Sequence, residues 1–193
     1  MKMKSALLLL TLTALVSTLA AAPMTFTAHL NGASEEPPNA SAGTGITFVT
    51  IDPAANTMRV FINFADLSGT TTASHIHIGV PTGPVATTVP RFPGFPVGVT
   101  SGSYDQVFDM TMASSYNPAF LTNAVNMGDV SIAQATLFSG ITGGTAYLNV
   151  HSTFAPAGEI RGFLAPVPEP ATVGLAGAAL AGLALFRRRL ARR

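Results

Sequence analysis

Cysteine is absent from the 193 residues, so neither disulfides nor a Cys-x-x-Cys redox pair can contribute to this protein. Charge is scarce as well. Only 10% of the residues are Asp, Glu, Lys or Arg against 48% apolar, which excludes a disordered polyelectrolyte. The few basic residues are segregated: Lys2 and Lys4 stand at the start, and Arg187, Arg188, Arg189, Arg192 and Arg193 at the end. Arg59, Arg91 and Arg161 remain between them. Against these three stand eight of the nine acids, all but Glu169, which leaves the stretch from Met24 to Pro166 at −5. A body of that sign repels phosphates, so nucleic acid is not a partner. Enzyme signatures are missing too. No Gly-x-Ser-x-Gly elbow occurs, and Gly43-Thr44-Gly45 leads into a strand pattern rather than a helix, so it is no dinucleotide loop.

The two ends hold most of the apolar excess. Residues 1–22 start with two lysines, continue through an apolar run and close on Ala20, Ala21 and Ala22. That order is a secretory signal peptide, which implies a Sec translocon and a signal peptidase. Pro23 disfavours a cut directly before it, which places cleavage after Ala20 or Ala21. The apolar run is shorter than the roughly 20 residues of a spanning helix, which argues against a permanent N-terminal anchor. At the other end Val167-Pro168-Glu169-Pro170 precedes an uncharged stretch, 171–186, and then Arg187, Arg188 and Arg189. As a helix that stretch is about 24 Å long, slightly short of a hydrocarbon core of about 30 Å. Arginines reach outward to head groups and stay on the cytoplasmic side as a stop, which puts the preceding body outside.

The Pro168-Glu169-Pro170 triplet, the short apolar stretch and the arginine tail together resemble the PEP-CTERM sorting signal of Gram-negative bacteria, over 167–193. The resemblance implies a membrane-embedded protease, an exosortase, that cuts near the triplet. The expected course is export, an inner-membrane intermediate, and then the cell surface or the extracellular space. Pro168 and Pro170 fit that role because they keep the backbone out of helix and extended.

Between the ends, 24–166 reads as a run of strands. Phe26, Ala28 and Leu30 alternate with polar residues, as do Ile46 and Phe48. Met58, Val60, Ile62 and Phe64 follow a turn-like Asp52-Pro53-Ala54-Ala55-Asn56, which predicts a hairpin. Further strands are expected over 73–78, 107–112, 146–151 and 159–164, and one helix over 129–138. Residues 79–103 carry five prolines and five glycines, the pattern of an irregular surface excursion. The expected fold is all-β: a single antiparallel β-sandwich with one short helix, flanked by the signal peptide and a C-terminal transmembrane helix.

Two strands carry the chemistry. In His75-Ile76-His77 the alternation puts both imidazoles on one face, about 7 Å apart at the backbone. In Tyr147-Leu148-Asn149-Val150-His151 it puts Tyr147, Asn149 and His151 on a polar face, and in Glu159-Ile160-Arg161 it sets Glu159 beside Arg161 as a same-face ion pair. With Leu30-Asn31-Gly32-Ala33-Ser34-Glu35-Glu36-Pro37-Pro38, these segments resemble the CHRD domain. That family shows an L-x-G-x-x-E-x-P-P opening, an H-I-H strand, and Y-x-N-V-H-[ST] followed by G-E-I-R-G. The resemblance implies a β-sandwich of exported bacterial proteins without a settled activity.

The leading expectation is a non-catalytic binding or structural module, not an enzyme and without a cofactor, with an extracellular polysaccharide or a surface protein as its partner. The alternative is a metal-binding protein or metalloenzyme in which His75, His77 and His151, joined by Glu159, hold Zn²⁺ or Cu²⁺ while Tyr147, Asn149 and Arg161 support them. A Cu/Zn superoxide dismutase site is excluded, because four histidines are too few for its two metals.

Overall fold

The computed structural model describes residues 21–168. The proposed signal peptide (but for its last two residues), Glu169 and Pro170, the apolar stretch 171–186 and Arg187, Arg188 and Arg189 lie outside the described residues. Among those described, no helix is long and apolar enough to cross a membrane.

The alternating runs form strands as expected, with β1 at Met24–Asn31, β2 at Thr44–Asp52, β3 at Thr57–Ala65 and β4 at Thr71–Ile78. The Asp52 carboxylate accepts from the Ala54 and Ala55 amides, and Asn56 takes a positive φ of 54°, which closes the β2–β3 hairpin. β5 spans Gly102–Asp109, earlier than the expected 107–112, because Asp109 turns back to accept from the Thr111 amide and ends the strand. β6 (Ala146–Ser152), β7 (Ile160–Phe163) and β8 (Ala165–Pro166) complete the set.

The expected antiparallel, sandwich-like β fold is built from one curled sheet in the order β4-β6-β7-β1-β2-β3-β5, with β8 beside β1. The two halves are joined at β1, which pairs β2 on one edge and β7 and β8 on the other. Inward residues of both halves, among them Val60, Ile62, Ile76, Leu148, Val150 and Ile160, pack into one core. Among the described residues two α-helices stand where one helix was expected. α1 is one turn, Pro118–Leu121, capped by Asn117; α2 is Val130–Thr142, capped by Asp129, which accepts from the Ser131 and Ile132 amides. α2 outruns its expected end at 138 because Phe138, Gly140 and Ile141 continue its buried face.

The proline-rich segment is the larger correction. It does not loop away from the body but runs along the free edge of β4: Ile78 donates to Pro84, Ala86 to Ile76, Phe92 to Ser74 and Gly98 to Thr71. Phe92 and Phe95 are buried against Tyr104, Phe108 and Phe64, with ring centroids 5.4–5.8 Å apart. Prolines lack the donor that would extend pairing to another chain, so the strap caps an edge that would otherwise invite aggregation. Phe92→Ala is expected to cost about 3–5 kcal/mol of folding free energy by urea denaturation; an unchanged midpoint would mean that the strap is not part of the core.

Candidate functional site

Register brings the polar residues of four strands into rows. Asn31 of β1 pairs with Arg161 of β7, Arg161 with Asn149 of β6, and Asn149 with His75 of β4. The next row holds Phe163, Tyr147 and His77. Along β6 this face is shut off from water, since every residue of that strand is buried on whichever side it points; Phe163 at the rim is exposed. Chain from Gly32 to Glu35 covers one part and the segment 79–84 another.

His75, His77 and His151 converge, with one ring nitrogen from each lying within 4.8 Å of the others. His77 Nδ1 donates to the Gly83 carbonyl at 2.8 Å and His151 Nδ1 to the Pro156 carbonyl at 2.9 Å. A carbonyl only accepts, so both rings carry their proton on Nδ1 and present a bare Nε2 when neutral. His77 Nε2 is buried without a partner, and His151 Nε2 meets His75 Nε2 at 2.8 Å. His75 Nδ1 has no hydrogen bond of its own.

Burial is the main cause that holds all three imidazoles below their ordinary pKa. For His75 burial comes first, then the neighbouring His151 and His77, and together they push it down to about 3 against the pull of the Pro90 carbonyl. His77 is lowered by burial, with the Gly83 carbonyl opposing and His151 and Arg161 adding to the shift; His151 is lowered by burial, with the Pro156 carbonyl opposing. Burial thus favours the neutral form of each ring.

The supporting residues stand where alternation put them. Tyr147 stacks on His77 with ring centroids 4.7 Å apart and planes 6° from parallel, and its hydroxyl accepts from the Gly83 amide at 3.3 Å. The Arg161 guanidinium lies 4.8 Å from the Tyr147 centroid and 5.7 Å from that of Phe163. Arg161 also donates to the carbonyls of Ser34 and Pro81, the latter at 3.0 Å.

Glu159 is the exception. It does not pair with Arg161 and does not reach the imidazoles. Its carboxylate accepts from Ser41 Oγ and the Ser68 amide on one oxygen, and from Ser152 Oγ and the Gly69 amide on the other. Gly158, at a φ of 144°, precedes β7 and lets the chain turn Glu159 out of the strand's alternation. Burial pushes the Glu159 carboxyl up, but these four donors together hold it below the ordinary carboxylate range.

Arg161 meets Glu35 instead, at 3.8 Å. Glu35 is buried, and burial raises its carboxyl to about 7 despite Arg161, the Asn149 amide and the Glu36 backbone N–H, which pull it down. A Cβ on Gly158 would lie 2.8 Å from both Glu35 Oε1 and Asn149 Oδ1, so that position has no room for a side chain. The sequence marks Glu35 only through the Leu30–Pro38 pattern, and the carbonyls of Ser34, Pro81, Gly83 and Pro156 carry no side-chain signal at all.

A family model of the CHRD domain matches residues 26–164. The chain belongs to the CHRD domain family. All seven long strands and the three histidines of the cluster fall within the matched CHRD residues or at their border. A second model, the PEP-CTERM protein-sorting motif, matches residues 166–189. Such a motif marks a chain exported across the membrane to the cell surface or extracellular space and processed by an exosortase. No curated protein and no solved structure matches the chain.

The two kinds of buried titratable group tilt stability in opposite directions. The histidines, neutral in the fold, contribute fully above about pH 6.5, and that contribution is lost as pH falls toward the folded values. Glu35, raised in the fold, contributes fully below about pH 4.5 and loses that contribution as pH rises through about 7. In the metal-free protein, Glu35→Gln should therefore gain on the wild type by on the order of 2 kcal/mol between pH 5 and 7.5, read from urea midpoints. Parallel pH curves would refute the assignment.

Proposed function

We propose that the exported, processed protein is a non-catalytic binding module of the cell surface or extracellular matrix, and that its ligand is one divalent transition-metal ion, Zn²⁺ or Cu²⁺, held by His75, His77 and His151. The observation that carries this reading is the convergence of three ring nitrogens within 4.8 Å, with two of the rings oriented by backbone carbonyls. Metal-ligating histidines almost always hold their other ring nitrogen on such an acceptor. At a metal–nitrogen distance of about 2.0–2.1 Å, tetrahedral ligands stand about 3.4 Å apart, between the 2.8 Å and 4.8 Å separations seen here.

The donor set is three neutral imidazoles without thiolate, which suits zinc or copper and leaves a coordination position for water or a ligand group. His75 would then carry its proton on Nδ1, the nitrogen that has no partner in the fold. Glu159 takes no part, because both its oxygens are engaged elsewhere. A second reading, a purely structural polar lattice, is favoured by the direct His75–His151 bond.

Metal analysis and calorimetric titration of the processed protein separate the two. The expected result is one equivalent of Zn²⁺ or Cu²⁺ and a stabilisation of about 2.7 kcal/mol at a hundredfold excess over Kd. The His75→Ala/His77→Ala variant should bind at least a hundredfold more weakly, and His151→Gln should weaken binding in the same direction. Absence of stoichiometric metal in the wild type overturns the metal reading and leaves the lattice.

A further inference from the structure

The chain leaves the sheet without a linker. β8 pairs with β1 through Phe26–Pro166 and Thr27–Ala165, and the Val167 amide still donates to the Thr25 carbonyl at 2.8 Å. The sorting motif is matched from residue 166 onward, so its first residues are part of the folded sheet. Only Pro168 stands between that last hydrogen bond and residue 169.

Register fixes what surrounds this exit. Met24 pairs with Ile51, Ile51 with Met58 and Met58 with Phe108. The stem therefore emerges at the pole that also carries the β2–β3 turn and the end of β5. The opposite pole, with the Glu159 carboxylate and the segments 66–70 and 153–158, lies about 27 Å away along the nine residues of β2.

The stem pole has its own chemistry. Met24 and Met112 are exposed there, with Ala54 and Ala55 between the hairpin strands. Its two acids remain within reach of solvent but are engaged locally, Asp52 accepting from the Ala54 and Ala55 amides and Asp109 from Thr111. Neither 52–57 nor 109–112 contains a lysine or arginine. Anionic lipid head groups attract basic residues, so this rim offers a membrane surface nothing to hold. A protein surface, by contrast, covers uncharged methionine and alanine at little desolvation cost.

We propose that the pole formed by Met24, Ala54, Ala55 and Met112 is the surface on which the exosortase seats while it reads the sorting motif. One residue of extended chain reaches about 3.3–3.6 Å, far less than the rim of any enzyme that closes on Pro168-Glu169-Pro170. The body is thus part of the substrate, and the enzyme must bear on this pole or peel β8 from β1. The polar lattice around Glu35 and the Glu159 pole face away from it.

Because the chain has no cysteine, single labels are clean. Full-length Ala54→Cys and Ala157→Cys chains, each carrying a photo-crosslinker, are irradiated in membranes that contain the exosortase. Position 54 should give at least tenfold more adduct with the enzyme than position 157. Equal adducts from both, or adducts from position 54 with lipid alone, overturn the proposal. In parallel, Ala54→Arg/Ala55→Arg should slow release of the mature chain about tenfold while Ala157→Arg leaves it unchanged, with thermal unfolding of both at the wild-type temperature. Wild-type processing of the double variant is the second overturning result. Neither readout involves metal, so this inference and the metal reading stand or fall separately.

Discussion

Burial of β6 on both faces is the constraint from which the polar side of the molecule follows. One face joins the apolar core, as alternation in any strand allows. The other carries Tyr147, Asn149 and His151 under the chain that passes over it, where an unpaired charge is costly. Each group there adopts the state that burial tolerates: the imidazoles lose their protons and Glu35 leans toward keeping its own. The Arg161 guanidinium is tied to two carbonyls, one carboxyl and two aromatic faces. In that setting the ring nitrogens of His75, His77 and His151 meet within 4.8 Å of one another.

With no disulfide to staple the loops, polar contacts take over that task. The Glu159 carboxylate gathers Ser41, Ser68, Gly69 and Ser152, so three connections that are distant in sequence converge on two oxygens. At the free edge of β4, the proline-rich strap supplies both hydrogen-bond partners and aromatic packing. Both devices use the backbone as much as side chains. An exported chain without cysteine therefore depends on loop conformation, which a mutation at Gly158 or Gly83 would disturb as surely as one in the core.

Alternation along one strand was legible in the sequence. It put His75 with His77, Tyr147 with Asn149 and His151, and the hairpin between Asp52 and Asn56. Facts that depend on two distant segments were not. Whether the strands form two sheets or one curled sheet turns on the second edge of β1, which finds its partner some 130 residues later, at Arg161. Glu159 looked like a neighbour of Arg161 because alternation was extended one residue too far, past a glycine whose positive φ ends the strand's rule. Glu35, which does reach Arg161, lies in a turn where no periodicity speaks. The strap was misjudged because proline and glycine signal irregular backbone, and irregular backbone can still bury Phe92 and Phe95.

The order of the strands also sets when the polar lattice can exist. β1 is near the start of the chain, while β7 and β8 are among the last residues of the body, and their register on β1 is continuous from Arg161 to Pro166. In a chain synthesised N-terminus first, β1 can pair with β2 early but must wait for its other edge, since such long-range pairing forms only after the intervening loop closes. Glu35 and Arg161 meet at that step, and so do Glu159 and its three loops. The same pairing that completes the site delivers Val167 to Thr25 and presents the sorting segment at the sheet's end. Completion of the sheet thus couples a finished polar lattice to a correctly placed stem, and a body that failed to close β7 onto β1 would lack both.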